Sequence, residues 1–294
     1  MYAEVDAGPK KVSDTFSLSG RITGPFCPYA QTLSATHEFV DRGPGRTLLA
    51  EARVTEACFW TPEFPYLYEV EIKLQTGGEV VATARRMFGM RWFAAEGRTL
   101  LCERQPWPLG AARVERLDAD DLDAFHDSNV AVMLRSPDDA VCVAASRVGV
   151  LLVAEVDARG EQLTLELRRL AQWPAVVMVA LKSDAEVTPA ARRATGNLLL
   201  VQDAVVESFE QPELIKVAPW AQAALVGRKN QKPLPCPALS RGVPVIVAIR
   251  GSAASNARDV RVAIDRTHAE FVADSAESDV DLLAGYVIDL RDAR

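Results

Sequence analysis

The segment WPAVVMVALKSD, residues 173–184, runs from Pro174 to Leu181 without a polar side chain and then stops at Lys182, Ser183 and Asp184. Such a run is typical of a strand buried on both faces, as in a parallel sheet. Working outward, further short apolar runs occur at 107–111, 130–134, 148–153, 197–201, 214–217, 243–249 and 285–290. The stretches between them read as helices, among them DDAVCVAASR, GEQLTLELRRLAQ, PWAQAALVGR and DVRVAIDRTHAEFVAD. Strand followed by helix, eight times, predicts parallel strands joined by right-handed crossovers, a (β/α)8 TIM barrel. The span from residue 96 to 294 is close to the lower limit of roughly 200 residues for that fold. The barrel is therefore expected to be compact or incomplete, with some helices reduced to stubs, and 188–211 is its least regular part.

Residues 1–95 read differently. FSLSGRITG, TLLAEARVT, YLYEVEIKLQ and EVVATARRMFGM are β-rich and are separated by the turn sequences DRGPGR and TGG. Short strands at this spacing predict a small immunoglobulin-like β-sandwich. The expected organisation is thus a sandwich over 1–95 and an α/β barrel over 96–294.

Composition limits the partners. Hydrophobic residues make up 49% and charged residues 25% of the 294, an ordinary globular balance. The net charge of −7 argues against nucleic acid. No apolar run reaches the ~20 residues that span a bilayer, and the N-terminal sequence lacks the pattern of a signal peptide. The five cysteines form no C-x-x-C pair. They read as reduced, mostly buried thiols in a cytoplasmic setting rather than as a disulfide framework. His37, His126 and His268 lack ligand spacing, so neither a metal site nor a cofactor is expected.

Two patterns are more specific. FWTPEFPYLYEVEIKL (59–74) and RRMFGMRWF (85–93) resemble the end of the immunoglobulin-like domain of glycoside hydrolase family 2. The resemblance continues through LLCERQPWPLGA, NVAVMLRSP, ASRVGVLLVAEV, WPAVVMVALKSD, VPVIVAIRG and AGYVIDLRD, in the order of that family's barrel strands. It implies a sandwich followed by a TIM barrel and a retaining glycosidase ancestry. The family's first, jelly-roll domain has no counterpart in the sequence given.

Retaining glycosidases need two carboxylates ~5–5.5 Å apart. By the resemblance, Asp184 stands at the acid/base position, preceded by Ser183 in place of the family's asparagine. Ile249 stands at the nucleophile position, and an isoleucine forms no glycosyl ester. An arginine and a histidine of the family's second strand correspond to Val132 and Arg135. The expectation is a pseudoenzyme: a barrel that keeps its fold without its reaction.

Function in such barrels sits at the C-terminal ends of the strands. The ligand-binding candidates there are Arg135, Glu155, Asp184, Asp203, Arg250, Arg291 and Asp292, with Trp220 near the mouth as a surface for sugar stacking. Their bland reading is a set of mutual ion pairs plugging the pocket. Three functions stay open. The chain is a scaffold or interaction protein with a protein partner, a carbohydrate-binding protein, or an active glycoside hydrolase using Asp184 with Glu155 or Asp203.

Overall fold

The computed structural model describes residues 2–3, 16–43, 50–206, 214–228, 239–249, 254–274 and 283–290. The chain divides into two compact units, residues 1–90 and 91–294.

The first unit is a β-sandwich. One sheet has the order β3 (Ala35–Glu38), β2 (Phe16–Phe26), β6 (Leu67–Thr76), β7 (Glu79–Phe88), all antiparallel. The other has the order β1 (Tyr2–Ala3), β5 (Ala50–Glu51), β4 (Val40–Asp41). Alternation places Leu18, Ile22, Tyr68 and Val70 on the core side of the larger sheet, where they meet Phe39, Ala50 and Ala52. The strand expected at 47–55 is reduced to Ala50–Glu51 among the described residues.

The second unit begins with an antiparallel sheet, β8 (Phe93–Glu96), β9 (Thr99–Cys102) and β10 (Gln105–Pro106). Eight parallel strands then close into a barrel in sequence order. They are β11 (Leu109–Val114), β12 (Ala131–Arg135), β13 (Leu152–Glu155), β14 (Val176–Lys182), β15 (Leu199–Val206), β16 (Ala223–Arg228), β17 (Val245–Ile249) and β18 (Leu283–Asp289). β14 is the opening stretch of the sequence, and Val176 to Leu181 are all buried. Closure joins β11 to β18. Gly285 permits it: a Cβ there would lie 2.2 Å from the Leu109 carbonyl oxygen, and its φ of +152° is one that L side chains rarely adopt.

Helices cover the barrel where the sequence caps them. α1 (Leu122–Asp127) follows a short 3-10 turn. α2 (Asp139–Val148) starts at Asp138, whose carboxylate accepts from the Val141 amide at 2.8 Å, and ends at Gly149 with φ 92°. α3 (Gly160–Leu170) buries Leu163, Leu167 and Leu170 at helical spacing. α4 (Pro189–Ala194) is a stub capped by Thr188 with Pro189 in its first turn. α5 (Ala257–Asp274) buries Val260, Ile264 and Phe271.

The floor is fixed by Arg91, the arginine of the F-G-x-R pattern. Its Nη1 donates to the Trp173 carbonyl at 2.8 Å and to the carbonyls of Pro174 and Val176, at the entry to β14. Burial pulls the guanidinium down to about 9. The carbonyl oxygens facing Nη1 work against that by favouring the cation.

Strand six departs from expectation. It is Ala223–Arg228, not 214–217, and PWAQAALVGR is a loop entering a strand rather than a helix. Ala-Ala-Leu-Val suits either state when buried, and periodicity does not separate them. Segments 214–222 and 239–244 lie over β16 and β17, where Val217, Ala221 and Val243 pack on Ala224, Val226 and Val245. The first strand also begins later than expected, at Leu109. That leaves Trp107 outside it, edge-on to Phe93 with centroids 5.5 Å apart.

Candidate functional site

In a barrel, partners across a parallel pair share a face, and successive residues alternate in and out. Arg113 contacts carboxylates across the barrel, so its face is the interior. Following the register outward from Arg113, the interior positions are Met133 and Arg135, Val153 and Glu155, then Ala180 and Lys182. They continue with Val201 and Asp203, Leu225 and Gly227, Ile246 and Ala248, and finally Val287 and Asp289. The lower layers are apolar and dry, with Met133, Val153, Met178, Val201 and Val287 buried.

The charges begin at the C-terminal ends of the strands. Three cations, Arg113, Arg135 and Lys182, face inward with three carboxylates, Glu155, Asp203 and Asp289. Arg113 is their centre and is only 9% exposed. Its Nη2 forms an ion pair with Glu155 and lies 3.4 Å from Asp203 Oδ2, while Nη1 lies 3.8 Å from Asp289 Oδ2. One guanidinium thus ties strands β11, β13, β15 and β18. Burying an arginine is tolerable only with such partners.

The sequence candidates fall into separate groups. Glu155 and Asp203 join this cluster. Arg135 faces inward at the rim and is exposed. Lys182 bonds Asp157 at 2.8 Å, which holds the Asp157 carboxyl below its usual range. Asp184 is not in the cluster. It lies past the end of β14 and accepts from Arg159 at 2.7 Å, with 63% of its side chain exposed. Its neighbour Ser183 donates to the Asp203 carbonyl at 3.0 Å.

Ile249 pairs with Ile288, on the face opposite to Ala248, Val287 and Asp289. It therefore points to the outer layer, and the inward residue at the C-terminal end of β17 is Ala248. Val132, likewise, lies on the outer face of β12. Trp220 precedes β16, so it stands at the floor end of the barrel, not at the mouth. Its carbonyl accepts from Arg192 at 3.2 Å. This follows from the later start of strand six. Arg250, Arg291 and Asp292 lie outside the described residues.

Two residues escaped the sequence reading. Arg113 fell beyond the expected end of the first strand, and its signal was an arginine closing the apolar run WPLGAA. Asp289 was read as part of the eighth strand without a role. Gln202, 2% exposed, is a third buried polar group. It faces the outer layer, accepting from Ala218 at 2.7 Å and donating to the Lys216 carbonyl at 2.9 Å. Among the described residues, no three His, Cys, Asp or Glu side chains are grouped to hold a metal. No helix there is long and apolar enough to cross a membrane.

The family model of glycosyl hydrolases family 2 matches residues 9–91. This segment is related to that family. No curated protein sequence matches the chain. Among solved structures, β-D-glucuronidase from Dictyoglomus thermophilum aligns with 95% of the chain at 14% identity and a TM-score of 0.56. Ruminococcus gnavus β-glucuronidase aligns with 95% at 13% identity and a TM-score of 0.57. The GH2 β-galacturonidase of Eisenbergiella tayi, bound to galacturonate, aligns with 94% at 15% identity and a TM-score of 0.56. At such identities the likeness is one of fold. The chain spans about 60% of the length of these structures.

Proposed function

We propose that this is a glycoside-hydrolase-like protein without catalytic turnover, retained as a scaffold or for interaction with another protein. The observation that carries the reading is Arg113. It occupies the centre of the mouth and engages Glu155, Asp203 and Asp289 together. A general acid must carry a proton to deliver, and a nucleophile needs a free approach to the sugar. Carboxylates clasped by a buried guanidinium suit neither task. The side chain at the acid/base position, Asp184, engages Arg159 outside the cluster, and the inward position at the C-terminal end of β17 is an alanine.

The test is turnover of nitrophenyl β-galactoside, β-glucuronide, β-mannoside and β-galacturonide. The expected rate equals the protein-free blank. Hydrolysis that disappears in Asp184→Asn, Glu155→Gln or Asp203→Asn would instead establish an active enzyme.

A second reading, binding of a sugar at the mouth without cleavage, has one observation in its favour. Arg113 Nε is buried with no acceptor among the described residues, and Arg135 and Lys182 bring further positive charge to the rim. A uronate, with its carboxylate and ring hydroxyls, matches those donors. A rise in melting temperature with glucuronate or galacturonate, absent in Arg135→Ala, would support it.

A further inference from the structure

Strand β7 ends the order β3-β2-β6-β7, so one of its backbone edges has no neighbouring strand among the described residues. It is ten residues long, and Glu79 to Arg86 are all exposed. Val80 and Val81 are each 51% exposed. The opposite edge of the sheet, β3, has only four residues. Bare N–H and C=O groups on an edge are a template for further pairing, and proteins blunt such edges with short strands, proline, lysine or a bulge. The sequence EVVATARRMF is long and carries neither proline nor lysine. It has a bulge, but near its start, and Ala82 to Phe88 pair regularly with β6.

Charge is distributed unevenly along this edge. Glu79 opens the strand, and Arg85 and Arg86 stand near its end. Ala82, Ala84 and Arg86 oppose Leu74, Ile72 and Val70, on the core side of the sheet. Val80 opposes Gln75 while Ala82 opposes Leu74, so Val81 is an extra residue. Glu79, opposite Thr76, is thereby returned to the side of Arg86. Two copies of β7 related by a twofold axis at Thr83 run antiparallel. Thr83 then opposes Thr83 and Ala82 opposes Ala84. Past the bulge, Val80 opposes Arg85 and Glu79 opposes Arg86. Every opposed pair shares a face, and a carboxylate meets a guanidinium at both ends. Sliding the pairing by two residues places Glu79 against Ala84 or Phe88 instead, so the charges select one register.

We propose that the free edge of β7 binds a second copy of this chain, joining the two larger sheets into one across a twofold axis at Thr83. The occupant is a second copy because the edge is complementary to itself when reversed: acid meets base at each end, and small or β-branched residues meet in the middle. Main-chain hydrogen bonds supply the attraction, and the end charges fix the register. Such an isologous contact uses the same patch on both chains, so it closes at a dimer. The inference goes beyond the reading of the barrel as inactive and does not depend on it.

The experiment follows the mass of the full chain by sedimentation and light scattering over a wide range of concentration. The mass should rise toward twice the 32.0 kDa of one chain and no further. Glu79→Arg opposes like charges at both ends and should raise the dissociation constant about tenfold. Thr83→Lys, which sets two lysines against each other at the axis, should also weaken the dimer. Adding Arg86→Glu to Glu79→Arg should restore it, and an equal mixture of the two single variants should form a mixed dimer. Circular dichroism checks that each variant is folded. A monomer at every concentration, a larger assembly, a dimer indifferent to Glu79→Arg and Thr83→Lys, or no recovery in the charge-swapped chain would overturn the proposal. None of these outcomes bears on turnover, which the nitrophenyl substrates test separately.

Discussion

Asp184 Oδ2 lies 2.7 Å from Arg159 Nη2, and both side chains are largely exposed. The carboxylate closing the apolar fourth strand therefore takes part in a surface ion pair with the preceding βα connection, between β13 and α3. Exposed pairs of this kind contribute about 0–1 kcal/mol, because solvent screens them and two long side chains must be held in place. Asp184→Asn should change unfolding free energy by less than about 0.5 kcal/mol, and urea titration measures it. A loss of several kcal/mol would mean that Asp184 reaches the interior network.

Arg113 predicts the opposite behaviour. Arg113→Met removes the cation shared by Glu155, Asp203 and Asp289 and leaves them facing one another in a nearly dry layer. Removing one partner of a buried ion network costs about 3–5 kcal/mol. Adding Glu155→Gln should recover part of that loss, and a double-mutant cycle by chemical unfolding measures that coupling.

The turn between β9 and β10 is built from Glu103 and Arg104, with φ of 48° and 65°. Two-residue hairpin loops of this geometry favour Asn-Gly, since side chains in left-handed backbone are strained. Replacing the pair with Asn-Gly should stabilise the barrel unit by about 1 kcal/mol. Burial raises the Glu103 carboxyl, opposed by the Trp92 backbone and then by Arg104. Its folded form therefore binds a proton more readily than its unfolded form, and wild-type stability rises as pH falls toward the carboxylate range. The advantage of the variant should be largest near neutrality and shrink on acidification, read as melting temperatures from pH 7 to pH 4.

Much of the barrel was legible because its strands are apolar runs between capped helices. β14 needs no more than the stretch from Val176 to Leu181, and α2 is marked by Asp138 and Gly149. β16 was not legible: its alanines and leucine fit helix or strand alike, and pairing with β15 and β17 decides between them. The mouth was half legible. Glu155 and Asp203 are visible as polar residues after apolar runs. Which side chains meet depends on register, and a shift of one residue reverses the facing. That is why Ile249 turned outward, and why Arg113 emerged only once β11 was placed at Leu109–Val114.

The closing pair of strands bears on how the chain reaches this state. β11 starts at Leu109 and its neighbour β18 ends at Asp289, so the last seam joins distant parts of the sequence. Such non-local pairing slows folding, because loop entropy must be overcome before the contact returns any energy. Until it forms, β11 and β18 are open edges with apolar sides, ready to pair with another chain. Synthesis completes β18 last, so a nascent or truncated chain exposes both edges, and its hazard is aggregation rather than mere loss of a strand.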